Sequence, residues 1–276
     1  MSKADEIFIA NCTDILNNGC STEKEKNRPK WEDGSPAYTI KKFGVVNRYD
    51  LSQEFPILTL RFTNFKAAID EILWIWQKKS NRVSDLHSHI WDEWTGPDGT
   101  IGKAYGYQLG IKHKYKEGEF DQVDRVLFDL KNNPFSRRIM TNIYNFEDLH
   151  EMNLYPCAYS MTFNVTGNKL NAILNQRSQD TLTANNWNVV QYAVLVHMFA
   201  QVSGLEAGEL VHVISDMHIY NRHVDMVKEL ISREPKKAPK FIMNKNVKNF
   251  YEFTVDDFEL EGYEYGPSLG KIPIAI

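Results

Sequence analysis

The chain has 276 residues, 42% of them hydrophobic and 25% charged, with a formal net charge of −4. That length allows a substantial core, while the mild acidity excludes a protein that coats nucleic acid, which would be strongly basic. No apolar run approaches the ~18–20 residues that span a bilayer, the polar start Met-Ser-Lys-Ala-Asp-Glu lacks a secretory core, and three cysteines are too few for a disulfide framework, so a cytoplasmic protein is expected.

Phe8, Cys12, Ile15 and Leu16 keep helical spacing, with Gly19 as a C-terminal stop. Cys12 on that stripe reads as a buried structural thiol. Tyr38–Asp50 alternates and is expected as a strand. Asn64–Lys79 reads as a helix with Ile69, Ile72, Leu73 and Trp76 on one face. Glu71 breaks its pattern, because the residues three and four positions away are Ala67, Ala68, Trp74 and Ile75. Its carboxyl either reaches water at the helix edge or is desolvated with a raised pKa.

Tyr155–Gln176 is expected as a hairpin turning at Thr166-Gly167-Asn168-Lys169, with Phe163 and Val165 alternating on one arm and Leu170, Ala172 and Leu174 on the other. Asn188–Ser203 is apolar almost all round, as a helix buried in a large core would be. Glu209–Asp216 alternates as a strand, and His218–Ser232 reads as a helix with Met226, Val227, Leu230 and Ile231 inward. Turn signals at 27–36, 96–102 and 112–118 are short, so one domain over 1–276 is expected. Helices and strands mix without a βαβ rhythm or a glycine-rich phosphate loop. The expected class is α+β, with a mixed, largely antiparallel sheet packed with helices.

Cys157 stands after a proline where the hairpin begins, a position that can present a nucleophile. A thiolate needs a cation nearby, and none adjoins it in sequence. The pairs Arg137-Arg138 and Arg177-Ser178 suit a phosphate monoester if the fold brings them together, and are otherwise solvated surface charge. Alternation puts Asp216, His218 and Tyr220 on one face of an extended segment, where they could bond a sugar hydroxyl. Asp85, His87 and His89 lack a zinc spacing, and no metal is expected.

Glu71-Ile72-Leu73-Trp74, Ile90-Trp91-Asp92-Glu93-Trp94, Ala104-Tyr105-Gly106, Asn132–Arg138, Tyr155-Pro156-Cys157, Gln176–Asp180, Asp216–Tyr220 and the ending Ile272-Pro273-Ile274-Ala275-Ile276 follow one another in order. Together they resemble the thymidylate synthase family over nearly the whole chain. The resemblance implies that fold, with a sheet face forming a homodimer interface, and methylation of dUMP to dTMP with 5,10-methylenetetrahydrofolate as co-substrate and no metal. It implies Cys157 as nucleophile toward C6 of the uracil, with Glu71, Asn188, Tyr105 and Arg177 as further catalytic residues. For dUMP it implies Arg28, Arg177, Ser178, Asp180, Asn188, His218 and Tyr220, with Arg137 and Arg138 reaching across from the other subunit. For the folate it implies Trp91, Asp180, Arg61 and the C-terminal Ile276. Neither a membrane nor a nucleic acid is required.

The chain departs from the family pattern in three places. Ala158 follows the nucleophile where a histidine is usual, and Arg61 stands where lysine is common. The usual Leu-Gly-x-Pro-Phe-Asn run reads Thr183-Ala184-Asn185-Asn186-Trp187-Asn188. A more polar wall at Asn185 and Asn186 would suit a dUMP hydroxymethylase of the same fold, in which water and not hydride traps the intermediate. Asn188, where an aspartate would favour cytosine, implies uracil either way. The intact Cys157, Arg177 and Asn188 disfavour an idle member kept for binding RNA or a partner.

Overall fold

The computed structural model describes residues 2–276. Ser2 caps the first helix, α1 (Lys3–Asn18), its side chain accepting from the Asp5 amide. The short strand β1 (Cys20–Ser21) leads through the 27–36 turn region to the long β2 (Thr39–Asp50). Asn64 caps α2 (Phe65–Trp76), buried along almost its whole length. After α3 (Gly106–Gly110) come the small ribbon β3 (His113–Tyr115) and β4 (Gly118–Phe120), then α4 (Gln122–Asn132) and β5 (Met140–Asn142). The expected hairpin is β6 (Ala158–Thr166) and β7 (Lys169–Gln176), turning on Gly167 at φ 63°. The two-residue β8 (Gln179–Asp180) precedes the buried α5 (Asn185–Val202) and the long β9 (Glu206–Tyr220). The chain then forms α6 (Val224–Ile231) and a second ribbon, β10 (Lys240–Met243) with β11 (Phe258–Glu261).

The main sheet is 7-stranded in the order β1-β2-β9-β7-β6-β5, with β8 alongside β9. Most pairings are antiparallel, as expected; β9 runs parallel to β7 and β8. Helices α2 and α5 pack together, and α5 lies against β7 and β9. The core beneath them holds Trp74, Phe163, Phe199 and Leu174. A second cluster unites Phe8, Cys12 and Ile15 of α1 with Met217, Ile219 and Val227. Cys12 is fully buried there and its thiol is pushed up by desolvation, the inert role expected of it. The opposite face of the sheet is not covered by helices and exposes Val46, Met140 and Ile173.

The helix expected from His218 begins only at Val224, because Tyr220, Ile219 and His218 remain in the ladder opposite Thr39, Ile40 and Lys41. This ladder contains a phase change. Leu210, His212 and Ile214 of β9 are buried, then Met217 and Ile219 are, so two consecutive residues, Ser215 and Asp216, are left outside. The partner strand does the same at Phe43 and Gly44; Phe43 is 90% exposed, and Gly44 has φ 73°, a conformation that favours glycine.

Candidate active site

Cys157 lies just before β6, half-buried, and its backbone pairs with the far arm of the hairpin: the Arg177 N–H donates to the Cys157 carbonyl at 2.9 Å. Strand pairing therefore supplies the cation that the local sequence lacks. Arg177 braces the loop by donating to the Pro156 carbonyl at 3.0 Å and the Tyr155 carbonyl at 2.7 Å, and its Nη2 stands 3.7 Å from the Cys157 Sγ. Burial still pushes the thiol upward, against the opposing pull of Arg177, Tyr105 and Arg28.

Tyr105 supports the Cys157 backbone, its hydroxyl accepting from the Cys157 N–H at 3.1 Å. The tyrosine holds φ 47°, a costly conformation for a non-glycine residue. Its neighbour Gly106 explains the local backbone, because a Cβ there would meet the Ser80 carbonyl oxygen at 2.4 Å.

Glu71 is buried, which decides between the two fates left open for it. Trp91 Nε1 donates to one carboxylate oxygen at 2.9 Å, and Trp187 Nε1 donates to the other. Desolvation raises its pKa to about 7, despite the opposing donors Trp187, Trp91 and Gln191. Trp187 sits in the first turn of α5, next to Asn188. The Asn188 carbonyl oxygen accepts from Gln176 Nε2 at 3.2 Å, and His212 Nε2 meets Gln176 Oε1 at 2.8 Å. Gln176 also donates to the Ser178 carbonyl. A buried relay thus aims Asn188 from behind.

The end of β9 supplies the other wall. His218 Nδ1 is 2.7 Å from Asp216 Oδ1, and its ring meets the Tyr220 ring edge-on. Tyr220 packs against Trp31, which fixes the 27–36 turn region and with it Arg28. Arg28 lies close enough to act on both Cys157 and Tyr220, and among the described residues it has no acidic partner. Arg137 and Arg138 are exposed and, among the described residues, likewise without ion pairs; they are not gathered with Arg28 and Arg177 in this protomer.

Asp180 accepts from the Leu182 amide and from the Thr183 hydroxyl, shaping the turn into α5. Burial would raise its pKa, but His223 and Thr183 outweigh it and hold the carboxyl low. The buried His223, absent from the sequence reading, joins this carboxylate to the C-terminal tail. Its Nδ1 is 3.6 Å from Asp180, and its Nε2 is 2.8 Å from the Pro273 carbonyl oxygen. Only its place three residues after Tyr220 hinted at it. Ile276 exchanges two backbone hydrogen bonds with Lys30, so the tail lies against the Arg28 turn. Arg61 points its guanidinium at the Leu182 carbonyl, 2.6 Å away, and is partly buried.

Asn186 does not form the polar wall expected of it. Its carbonyl oxygen accepts from the Leu58 amide and the Thr63 hydroxyl, each at 3.0 Å, and its amide donates to the Pro56 carbonyl. It clamps the 56–63 segment onto α5. No group of three or more potential ligands that could hold a metal occurs among the described residues.

The protein-family model for thymidylate synthase matches residues 6–276. Thymidylate synthases of Bacillus subtilis subsp. natto and of Bacillus phage phi3T are each 47% identical over 274 residues, covering 98% of both chains. The solved structure of thermostable thymidylate synthase A from Bacillus subtilis superposes with a TM-score of 0.95 at 44% identity and covers all of both chains. With Cys157, the buried Glu71 carboxyl, Arg28 and Arg177 in these positions, the chain belongs to the thymidylate synthase family.

Proposed function

We propose that the chain reductively methylates dUMP to dTMP, taking both the one-carbon unit and the hydride from 5,10-methylenetetrahydrofolate and leaving dihydrofolate. The observation that carries this reading is the Cys157 sulfur 3.7 Å from Arg177, beside an Arg28 that has no acidic partner among the described residues. Family membership makes the chain a folate-dependent methyltransferase; the residue roles are those the family resemblance implies. The Cys157 thiolate adds to C6 of the uracil, which makes C5 nucleophilic toward the one-carbon unit. C5 then loses its proton as the bond from the one-carbon unit to the folate nitrogen breaks, leaving an exocyclic methylene; hydride from the released tetrahydrofolate reduces that carbon to methyl as the thiolate leaves C6. Arg28, Arg177 and Ser178 hold the phosphate dianion, for which guanidinium and hydroxyl donors are suited.

His218 and Tyr220 bind the sugar hydroxyl, Asn188 reads the uracil edge, and Glu71, with a pKa near neutrality, exchanges protons at the pyrimidine through ordered water. Trp91, Asp180 and Arg61 serve the folate side. Tyr105 holds the Cys157 backbone, and the tail ending at Ile276 covers the site and keeps water from the intermediate.

Arg137 and Arg138 complete the phosphate site from a second subunit. Their isolation within one protomer supports this, as do the exposed apolar side chains Val46, Met140 and Ile173 on the outer sheet face, which a symmetric dimer would cover. The cytoplasm is the proposed location.

The test is incubation of purified protein with dUMP and methylenetetrahydrofolate, with the nucleotide identified by mass and dihydrofolate followed by absorbance. The expected result is dTMP with matching dihydrofolate. Hydroxymethyl-dUMP with unoxidised tetrahydrofolate would overturn the reading in favour of the hydroxymethylase.

A further inference from the structure

Glu71 projects from α2 into a buried space between the Trp91 loop and the first turn of α5. Each carboxylate oxygen receives one indole N–H, from Trp91 on one side and Trp187 on the other. The two donors come from segments far apart in sequence and converge on one group. Trp187 stands where the family pattern has phenylalanine, a ring of related shape with no hydrogen to give. We infer that Trp187 is a positioning residue for Glu71: its indole N–H fixes the orientation of the carboxyl and lowers its proton affinity.

The inference rests on the reading of Glu71 as the proton-handling group. A buried carboxylate is costly unless donors reach it, and a donor to the ionised form favours that form. Burial alone drives the Glu71 carboxyl upward, and Trp187 heads the contacts that oppose it. Its other charged or titratable neighbours are Asp70 on the same helix, Tyr105 and Tyr192. Asp70 is occupied by the His87 backbone and ring, and like-charge repulsion from it works against ionisation of Glu71. The two tyrosines are held protonated by burial. With an indole on each oxygen, Glu71 is poised to change protonation near neutral pH while held in one orientation.

The deciding experiment is difference infrared titration of the resting enzyme, with the Glu71 carboxylic-acid band identified by its loss in Glu71→Gln. Trp187→Phe removes the donor. A second variant carrying benzothienylalanine at the same position keeps the bicyclic shape and replaces only the N–H by sulfur. In both, the midpoint should rise by on the order of one pH unit, and the limb of the kcat–pH profile that vanishes in Glu71→Gln should move with it. KM for dUMP should stay near the parent value. An unmoved midpoint in the isosteric variant overturns the inference. Full turnover by Glu71→Gln would instead sink the proton-handling reading, and the infrared midpoint would still decide what Trp187 does to the carboxyl.

Discussion

Arg177 does two things at once, and they can be separated. It places a positive charge 3.7 Å from the Cys157 sulfur, and it ties down the carbonyls of Tyr155 and Pro156. At an effective dielectric of ~20, a full charge pair at that distance is worth ~4 kcal/mol. The site is half-open to solvent, so screening reduces this to ~1–2 kcal/mol. In Arg177→Met the thiolate population at pH 8 should therefore fall about fivefold to thirtyfold, slowing alkylation of Cys157 by iodoacetamide in proportion. Arg177→Lys keeps the charge but cannot repeat the two-carbonyl brace; it should alkylate at within about threefold of the parent rate while losing much more turnover. Cys12 is buried and the exposed Cys20 can be replaced, so the assay reads one thiol. Equal alkylation rates in parent and Arg177→Met would refute the claim that this guanidinium stabilises the thiolate.

Asn186→Ala should lower unfolding free energy by about 2–4 kcal/mol, since it strands the Leu58 amide, the Thr63 hydroxyl and the Pro56 carbonyl; a change under about 0.5 kcal/mol in urea melts would remove Asn186 from that role. Burial would lower the folded pKa of His223, but Asp180 outweighs it and raises the pKa above the ordinary imidazole value of about 6.5, so the pair stabilises the fold fully below that value and the contribution is lost as pH rises through the raised one. The cost of His223→Gln should accordingly shrink from pH 6 to pH 9, and a cost independent of pH would contradict the pairing. Mixed dimers of Arg138→Glu and Cys157→Ala chains should recover one working site if the arginines cross the interface; mixtures as inactive as their parents would place them elsewhere.

Much of this protein was legible in its sequence because the periodic signals were strong and local. The hairpin showed its alternating arms and its Gly167 turn, and α2 and α5 showed their apolar lengths. Boundaries failed where tertiary pairing overrode helical pattern, as at His218–Tyr220, held in the sheet by Thr39–Lys41. The parallel pairing of β7 with β9 has no local signal at all. The site divides in the same way. Glu71 announced itself as a carboxyl among apolar neighbours, but its indole partners lie 20 and 116 positions away. Arg177 met Cys157 only through strand pairing. Asn186 misled because an asparagine that lines a pocket and one that clamps a backbone look alike until the partners are in place.

The phase change between β2 and β9 has a consequence for how this chain can vary in length. Before it, the even-numbered residues of β9 face the helices; after it, the even-numbered Asp216, His218 and Tyr220 face away from them. Removing one residue from β9 alone between Ile214 and Met217 would restore simple alternation in that strand with Met217 and Ile219 still inward, but would leave both Phe43 and Gly44 of β2 opposite a single residue. Removing Gly44 alone would set β2 out of step with an unchanged partner. The two strands thus share a reading frame, and insertions or deletions here are tolerable only as compensating pairs.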